Sequence, residues 1–138
     1  MTSEQARAQF ATADHAYLAT AGTDGRPHVV PIGFALDGDT IYTAVDAKPK
    51  RTTSLKRLKN IAANPQVSVL ADHYEPGDWS KLWWVRADGT AQVLDHHPHA
   101  VDLLKQRYAP YRTSPPAGPV IAIAVNRWSG WSGGDSRT

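Results

Sequence analysis

A cluster of basic side chains in the first half of the chain offers the clearest chemistry. Residues 48–61 hold six cations, and Thr52, Thr53 and Ser54 are candidate caps for a helix that begins there. The Asn-Pro pair at 64–65 would end that helix, because proline cannot continue its hydrogen-bond ladder. Cations and hydroxyls around a helix N-terminus favour a phosphate. A solvated basic face is the other interpretation of the cations Lys48, Lys50, Arg51, Lys56, Arg57 and Lys59.

The remaining polar motifs predict no familiar catalytic centre. His96, His97 and His99 lie close together, but no two of them have the i, i+4 spacing of helical metal ligands. We therefore expect exposed polar residues at a helix start and no metal. The chain has no Gly-x-Ser-x-Gly elbow for acyl transfer and no closely paired carboxylates of a glycosidase.

Tryptophan is abundant, with five residues in 138. Trp83 and Trp84 are adjacent, so on a strand their rings point to opposite faces. Trp128 and Trp131 close the last predicted strand. Core packing or a subunit interface explains such rings, and a bound planar ring system is the alternative.

Composition limits the classes of function. The chain contains no cysteine, so disulfides and thiolate chemistry are excluded. The formal net charge is only +2, which argues against a nucleic-acid binder and for a localised anion site. No signal peptide or bilayer-spanning apolar run is visible, so we expect a cytoplasmic protein with no membrane partner. We expect one domain over residues 1–138, with a loose tail at 130–138.

The apolar patterning predicts strands that alternate with tight turns. A short helix is expected over 2–12, where Thr2 and Gln5 fit a capping box. A further helix is expected to start at 95–99, and Gly89 is compatible with either a bulge or a turn. Six or so strands with few helices fit a mainly β fold, an antiparallel barrel with inserted helices. The predicted strands are 17–21, 28–36, 40–45, 66–72, 81–94 and 120–125.

Four segments, taken in this order, resemble the pyridoxamine 5′-phosphate oxidase-like split β-barrel superfamily. They are DGRPHVVP at 24–31, TIYT at 40–43, NIAANPQVSV at 60–69 and WVRADGTA at 84–91. Within that superfamily the chain is similar to the actinobacterial branch of F420-dependent oxidoreductases. The resemblance implies a split β-barrel and a homodimer with cofactor clefts at the subunit interface.

The resemblance also implies which residues bind the cofactor. Lys56, Arg57 and Asn60 match the phosphate-holding positions, and Lys50 and Arg51 match a longer loop more loosely. Backbone groups of residues 30–32 would line the ring edge. The remaining matched positions complete the implied set, which is Lys50, Arg51, Lys56, Arg57, Asn60, Val30, Pro31, Ile32, Thr43, Arg86 and Trp128.

The implied function is hydride transfer between the deazaflavin F420 and a small unsaturated or quinone-like substrate. The extra cations at 48–59 suit a cofactor with an anionic tail beyond its phosphate, which FMN lacks. An FMN-binding oxidoreductase is the near alternative, and a non-catalytic flavin- or tetrapyrrole-binding protein on the same barrel is another. In every case the cofactor supplies the redox chemistry, so the absence of a visible acid–base pair is expected.

Overall fold

A computed structural model describes residues 1–45 and 52–134 of the chain. Its helices and strands follow the order predicted from the sequence. The helices are α1 (Ser3–Ala11), α2 (Thr52–Ala63), α3 (Pro98–Arg107) and α4 (Ala109–Thr113), with a 3-10 turn at Trp79–Lys81. The strands are β1 (Ala16–Ala21), β2 (Pro27–Ile32), β3 (Ala35–Asp37), β4 (Thr40–Ala44), β5 (Gln66–His73), β6 (Trp83–Leu94) and β7 (Val120–Ser132).

The described strands form one sheet in the order β2-β1-β5-β6-β7-β4-β3, and neighbours in it run antiparallel. The sheet curls into a half-barrel with helices against it, which confirms the mainly β split barrel. It contains seven strands, not six, because the predicted strand over 28–36 is broken at Gly33 and Phe34. Pro31, which cannot donate to a ladder, lies in β2 at the sheet edge.

The core fills the concave side of the sheet and is closed by α1. Phe10 of α1 is fully buried, with its ring centroid 4.5 Å from that of Phe34 and 5.3 Å from that of Trp128. The predicted capping box is present, since Thr2 accepts from the Gln5 backbone and Gln5 accepts from the Thr2 backbone. A sparse apolar stripe is therefore enough to fix α1 across the barrel.

The longest pairing in the sheet joins β6 to β7 and contains a bulge. The register shifts between Asp88 and Gly89, which settles the alternative left open by the sequence. A Cβ on Gly89 would lie 2.4 Å from the Ala124 carbonyl oxygen, so the close approach of the strands requires glycine there.

The C-terminal tail is shorter than predicted. β7 runs to Ser132 and pairs Trp131 with Trp84, so the prediction of a loose tail is wrong for residues 130–132. Residues 135–138 lie outside the described part of the chain. Across the described residues, we find no helix with the length and apolar character to cross a bilayer.

Candidate functional site

The convex face of the sheet, opposite the core, carries an apolar surface. Side chains alternate along each strand, so the residues flanking a core position point outward. Four large outward residues on β1, β2, β5 and β6 keep between a third and two thirds of their surface exposed. They are Tyr17 (36%), Val29 (61%), Leu70 (40%) and Trp84 (37%). Such a contiguous apolar surface is typical of a binding or association site.

A groove of about 560 Å³ runs across this surface. Its volume is within the range of small-molecule sites, roughly 300–1,000 Å³. A shallower groove of about 330 Å³ extends it toward the strand ends at Ala21, Pro27 and Gln66. The two share Ala19 and Ser68, so they form one continuous outer groove. The residues that line its main part are Tyr17, Ala19, Val29, Ser68, Leu70, Asp72, Trp84 and Arg86.

A short polar network crosses the floor of the outer groove. Arg86 Nε lies 3.2 Å from Asp88 Oδ1 and 3.3 Å from Oδ2. The Ser68 hydroxyl donates to Asp88 Oδ1 at 2.6 Å. Asp88 therefore orients both a cation and a hydroxyl beside an otherwise apolar lining.

Helix α2 packs on the concave side at the end of the sheet toward which the groove extends. Its buried Asn60 donates from Nδ2 to Thr20 Oγ1 on β1 at 3.0 Å. Lys56 is exposed and Arg57 is half-buried. The Arg26 backbone N–H, and next the charge of Lys56, hold the pKa of Asp24 below its ordinary value. Lys56 therefore lies near the β1–β2 turn, at the end of the sheet where the groove reaches its strand ends.

The predicted cofactor residues fall into four groups, one of which lies outside the described part of the chain. Pro31 and Arg86 lie on the convex face, and Lys56, Arg57 and Asn60 lie on α2. Lys50 and Arg51 are outside the described residues. The last group has side chains directed to the core and consists of Val30, Ile32, Thr43 and Trp128.

Two residues of that last group have polar atoms engaged within the chain. The Thr43 hydroxyl donates to the Gly33 carbonyl at 2.7 Å. The Trp128 indole N–H donates to Asp39 Oδ1 at 2.9 Å. The structure does not bring either side chain to the outer groove, whereas backbone atoms of 30–32 remain compatible with the predicted role at a ring edge.

Sequence reasoning missed most of the groove lining. Tyr17, Val29, Ser68 and Leu70 were treated only as members of strands. The signal that could have found Tyr17, Val29 and Leu70 is an apolar or aromatic residue at an outward position of a strand whose inward positions are also apolar. At positions 67–71, for example, the inward side chains are all apolar and the outward Leu70 is apolar too.

The other polar clusters are committed to the fold. His97 Nδ1 accepts from the Ala100 backbone N–H at the start of α3, and His99 pairs with Asp37 at 2.8 Å. Among the described residues no group of three metal-ligating side chains converges.

A groove of about 460 Å³ between α1, β3 and α3 holds Arg7 and Arg107. Arg7 pairs with Asp39, and Arg107 lies over the Phe34 ring at 4.5 Å.

An antiparallel sheet that curls into a half-barrel, with helices packed against it, is the architecture of a split β-barrel. The chain belongs to the pyridoxamine 5′-phosphate oxidase family, whose sequence model matches residues 2–132. A 5a,11a-dehydrotetracycline/5a,11a-dehydrooxytetracycline reductase of Streptomyces rimosus is 29% identical over 90 residues. That alignment spans 62% of this chain and 62% of the reductase, less than two thirds of its length.

Solved structures share the fold at low identity. A conserved hypothetical protein of Mycobacterium tuberculosis superimposes with a TM-score of 0.75 at 19% identity, covering 96% of this chain and 86% of that one. A FAD-binding protein of Mesorhizobium loti gives 0.71 at 21% identity over 94% of both chains. A haem-storage protein of Vibrio cholerae gives 0.69 at 15%, covering 96% and 95%. The resemblance inferred from the sequence is confirmed at the level of family and fold.

Proposed function

We propose that the protein is an oxidoreductase that binds the deazaflavin F420 and reduces a small unsaturated or quinone-like substrate. The observation that carries the proposal is the apolar outer groove, which extends toward the end of the sheet where α2 presents Lys56 and Arg57. An apolar planar ring with an anionic substituent has both the shape and the polarity of that arrangement. Membership of an oxidase family and similarity to a reductase support the same class of chemistry.

The residues present fit such a cofactor. Val29, Leu70 and Trp84 offer apolar and aromatic surface to a ring. Lys56 and Arg57 offer charge-assisted hydrogen bonds to a phosphate. The bound cofactor would supply hydride transfer, and the chain would hold, orient and partly desolvate the reacting ring. FMN is the second candidate, favoured by the FAD-binding protein that shares the fold.

We also propose that two copies associate through the convex face. The exposed Val29, Leu70 and Trp84, together with Trp131 on β7, form an apolar surface that water covers in the isolated chain. Association across this face would put the outer groove, with the ring bound in it, between the two copies and would exclude water from the ring. Val29→Glu should shift the protein to monomer in light scattering coupled to gel filtration. The matched control is Ala8→Glu on the exposed side of α1, which should leave the oligomeric state unchanged.

Ligand titration tests the cofactor proposal directly. F420, FMN and haem are each titrated into the purified protein while tryptophan fluorescence is followed, because Trp84 lines the groove. Strong quenching by F420 with little response to FMN supports the first candidate, and the reverse supports the second. Tight haem binding without turnover of enones or quinones supports a carrier. Failure of all three ligands to bind would contradict the cofactor proposals together.

A single substitution tests the phosphate site. Arg57→Ala should weaken cofactor binding by about 1.5–3 kcal/mol if its guanidinium forms a charge-assisted bond to phosphate. Lys81→Ala removes one exposed cation from the 3-10 turn before β6 and serves as the control. Equal affinities for the two variants would remove Arg57 from the site.

A further inference from the structure

Three polar side chains at the start of β1 form a row of hydrogen-bonded groups. Asp14 Oδ1 lies 2.8 Å from His15 Nδ1. His15 Nε2 lies 3.3 Å from the Tyr17 hydroxyl, and the two rings meet edge to face with centroids 5.5 Å apart. The spacing along the chain is only one and two residues, so the local backbone alone brings the three groups together.

The contacts assign a proton to each position. The hydrogen bond and charge of His15 hold the pKa of Asp14 below its ordinary value, so the carboxylate is ionised at neutral pH. When the imidazole is neutral, the carboxylate accepts the proton of His15 Nδ1, and the lone pair of Nε2 can accept from the Tyr17 hydroxyl. A carboxylate that orients an imidazole toward a hydroxyl is the arrangement by which proteins move protons.

Helix α3 fixes the backbone under these groups. Arg107 donates to the Ala13 carbonyl, and the Tyr108 hydroxyl donates to the Asp14 carbonyl at 2.9 Å. Arg107 also contributes a smaller part of the shift of the Asp14 pKa. Arg107, the last residue of α3, and Tyr108, which caps the helix, are therefore the charged and titratable groups that this helix end presents to the segment. Two hydrogen bonds from a distant part of the chain therefore add to the local backbone in fixing this segment.

Tyr17 faces the outer groove in which the cofactor is proposed to bind. It lines the outer groove, pairs with Pro31 on β2, and pairs with Leu70 on β5. Pro31 is one of the residues predicted to border the cofactor ring. The other hydroxyls that line the groove are engaged within the chain, since Ser68 donates to Asp88 and Thr20 accepts from Asn60. Tyr17 is therefore the lining residue that joins a neutral O–H to a chain of groups open to water.

We propose that Tyr17 donates the proton that completes substrate reduction, and that His15 and Asp14 restore it. The inference rests on the proposed oxidoreductase function. A bound reduced deazaflavin or flavin would supply hydride to the β carbon of a conjugated enone, and the C=C electron pair would then form an enolate. The Tyr17 O–H bond then breaks and its proton goes to the α carbon, leaving a phenolate.

The phenolate regains its proton through His15. Side-chain exposure is 56% for His15 and 94% for Asp14, so bulk water reaches the imidazole. A solvent proton binds Nε2 to give an imidazolium, which Asp14 stabilises, and that proton passes to the Tyr17 oxygen. Tyr17 is thus the catalytic residue, and His15 and Asp14 are the positioning and proton-supplying residues.

The first test uses the protein without cofactor. Nitrogen-15 chemical shifts of the His15 ring, measured at one fixed pH, report which ring nitrogen carries the proton, and they should change in Asp14→Asn because the carboxylate contacts Nδ1. The Nε2 shift should also change in Tyr17→Phe, which removes the hydroxyl and keeps the aromatic ring. Tyr74→Phe, on the exposed loop after β5, should leave both shifts unchanged. Identical His15 nitrogen shifts in the wild type and Tyr17→Phe would overturn the relay.

The second test follows enone reduction by the cofactor-loaded protein. Tyr17→Phe should bind oxidised cofactor within about twofold of the wild type and reduce substrate about 10²–10⁴-fold more slowly, the usual contribution of a positioned acid. An active wild type with equally fast Tyr17→Phe and Tyr74→Phe variants would overturn the relay alone. A wild type that reduces no enone or quinone would overturn the proposed function and the relay with it.

Discussion

The buried bond between Asn60 and Thr20 allows a structural role to be measured apart from a ligand-binding role. The two side chains are 3% and 4% exposed, and the Nδ2–Oγ1 distance is 3.0 Å. Asn60→Ala removes the donor and leaves the Thr20 oxygen without that partner and shielded from water. An unmade buried hydrogen bond costs about 1–3 kcal/mol. In a chain of this length that corresponds to a fall in Tm of roughly 4–12 °C.

Scanning calorimetry on a double-mutant cycle measures this cost. Thr20→Val should be destabilising by itself, and the double variant should lose less than the sum of the two, with a coupling of about 0.5–1.5 kcal/mol. Asn126 supplies the matched control, because its Nδ2 lies 3.4 Å from Thr90 Oγ1 in an exposed pair of the same chemistry. Asn126→Ala should change stability by less than about 0.5 kcal/mol.

Two results would refute the reasoning. Either Asn60→Ala is no more destabilising than Asn126→Ala, or the effects at Asn60 and Thr20 simply add. In both cases the hydrogen bond between Asn60 and Thr20 would not hold α2 to β1, and weaker cofactor binding by Asn60→Ala would then indicate a direct contact between Asn60 and the cofactor. If the coupling is present, cofactor affinity has to be measured well below the lowered Tm, so that the variant is folded during the measurement.

Two further predictions concern the bulge and the turn that closes the barrel. Gly89→Ala should lower the free energy of unfolding in urea by about 1–3 kcal/mol or more, because the new Cβ overlaps a neighbouring backbone. Gly77→Ala is the control, since its Cβ meets open space and should be neutral to slightly stabilising. Equal effects of the two substitutions would contradict the bulge geometry. The Trp128 indole and then Arg7 hold the pKa of Asp39 below its ordinary value of 3.8, so this carboxylate stabilises the fold above that pH and loses its contribution as pH falls through the lower folded pKa. The Tm difference between wild type and Asp39→Asn should therefore shrink on acidification below about pH 4, and a difference that persists in full would exclude the ionised carboxylate as its source.

Strand and helix positions were readable from the sequence because local signals agreed with the fold. The capping box at Thr2, the turn at Asp24 and the Asn-Pro stop after α2 each act through bonds within a few residues. The break at Gly33 was missed for a different reason. It is held from outside, since the Phe34 backbone donates to the Tyr108 hydroxyl at 2.9 Å, a partner 74 residues away.

The residues of the candidate site were harder to predict from the sequence than the fold. The cations of α2 stand out in the sequence by charge density, and the structure places Lys56 and Arg57 at one end of the sheet. The groove is assembled from single outward residues of different strands, and only the sheet order makes them neighbours. Thr43 and Trp128 were placed at the cofactor by resemblance, whereas alternation along their strands directs both side chains into the core.

The sheet order has a consequence for the growing chain. As the chain leaves the ribosome, β1, β2, β5 and β6 can pair in one sheet and β3 with β4 in a hairpin, but these two pieces meet only across β7. The pairing of Thr40 with Ala124 therefore closes the barrel late. It joins residues that are far apart in the sequence, and such long-range contacts slow folding. Until β7 is synthesised, one edge of β6 and the edge of β4 that faces away from β3 have no strand to pair with. A nascent chain stalled before residue 120 would expose two open strand edges, and it is at this stage that we expect aggregation and chaperone binding.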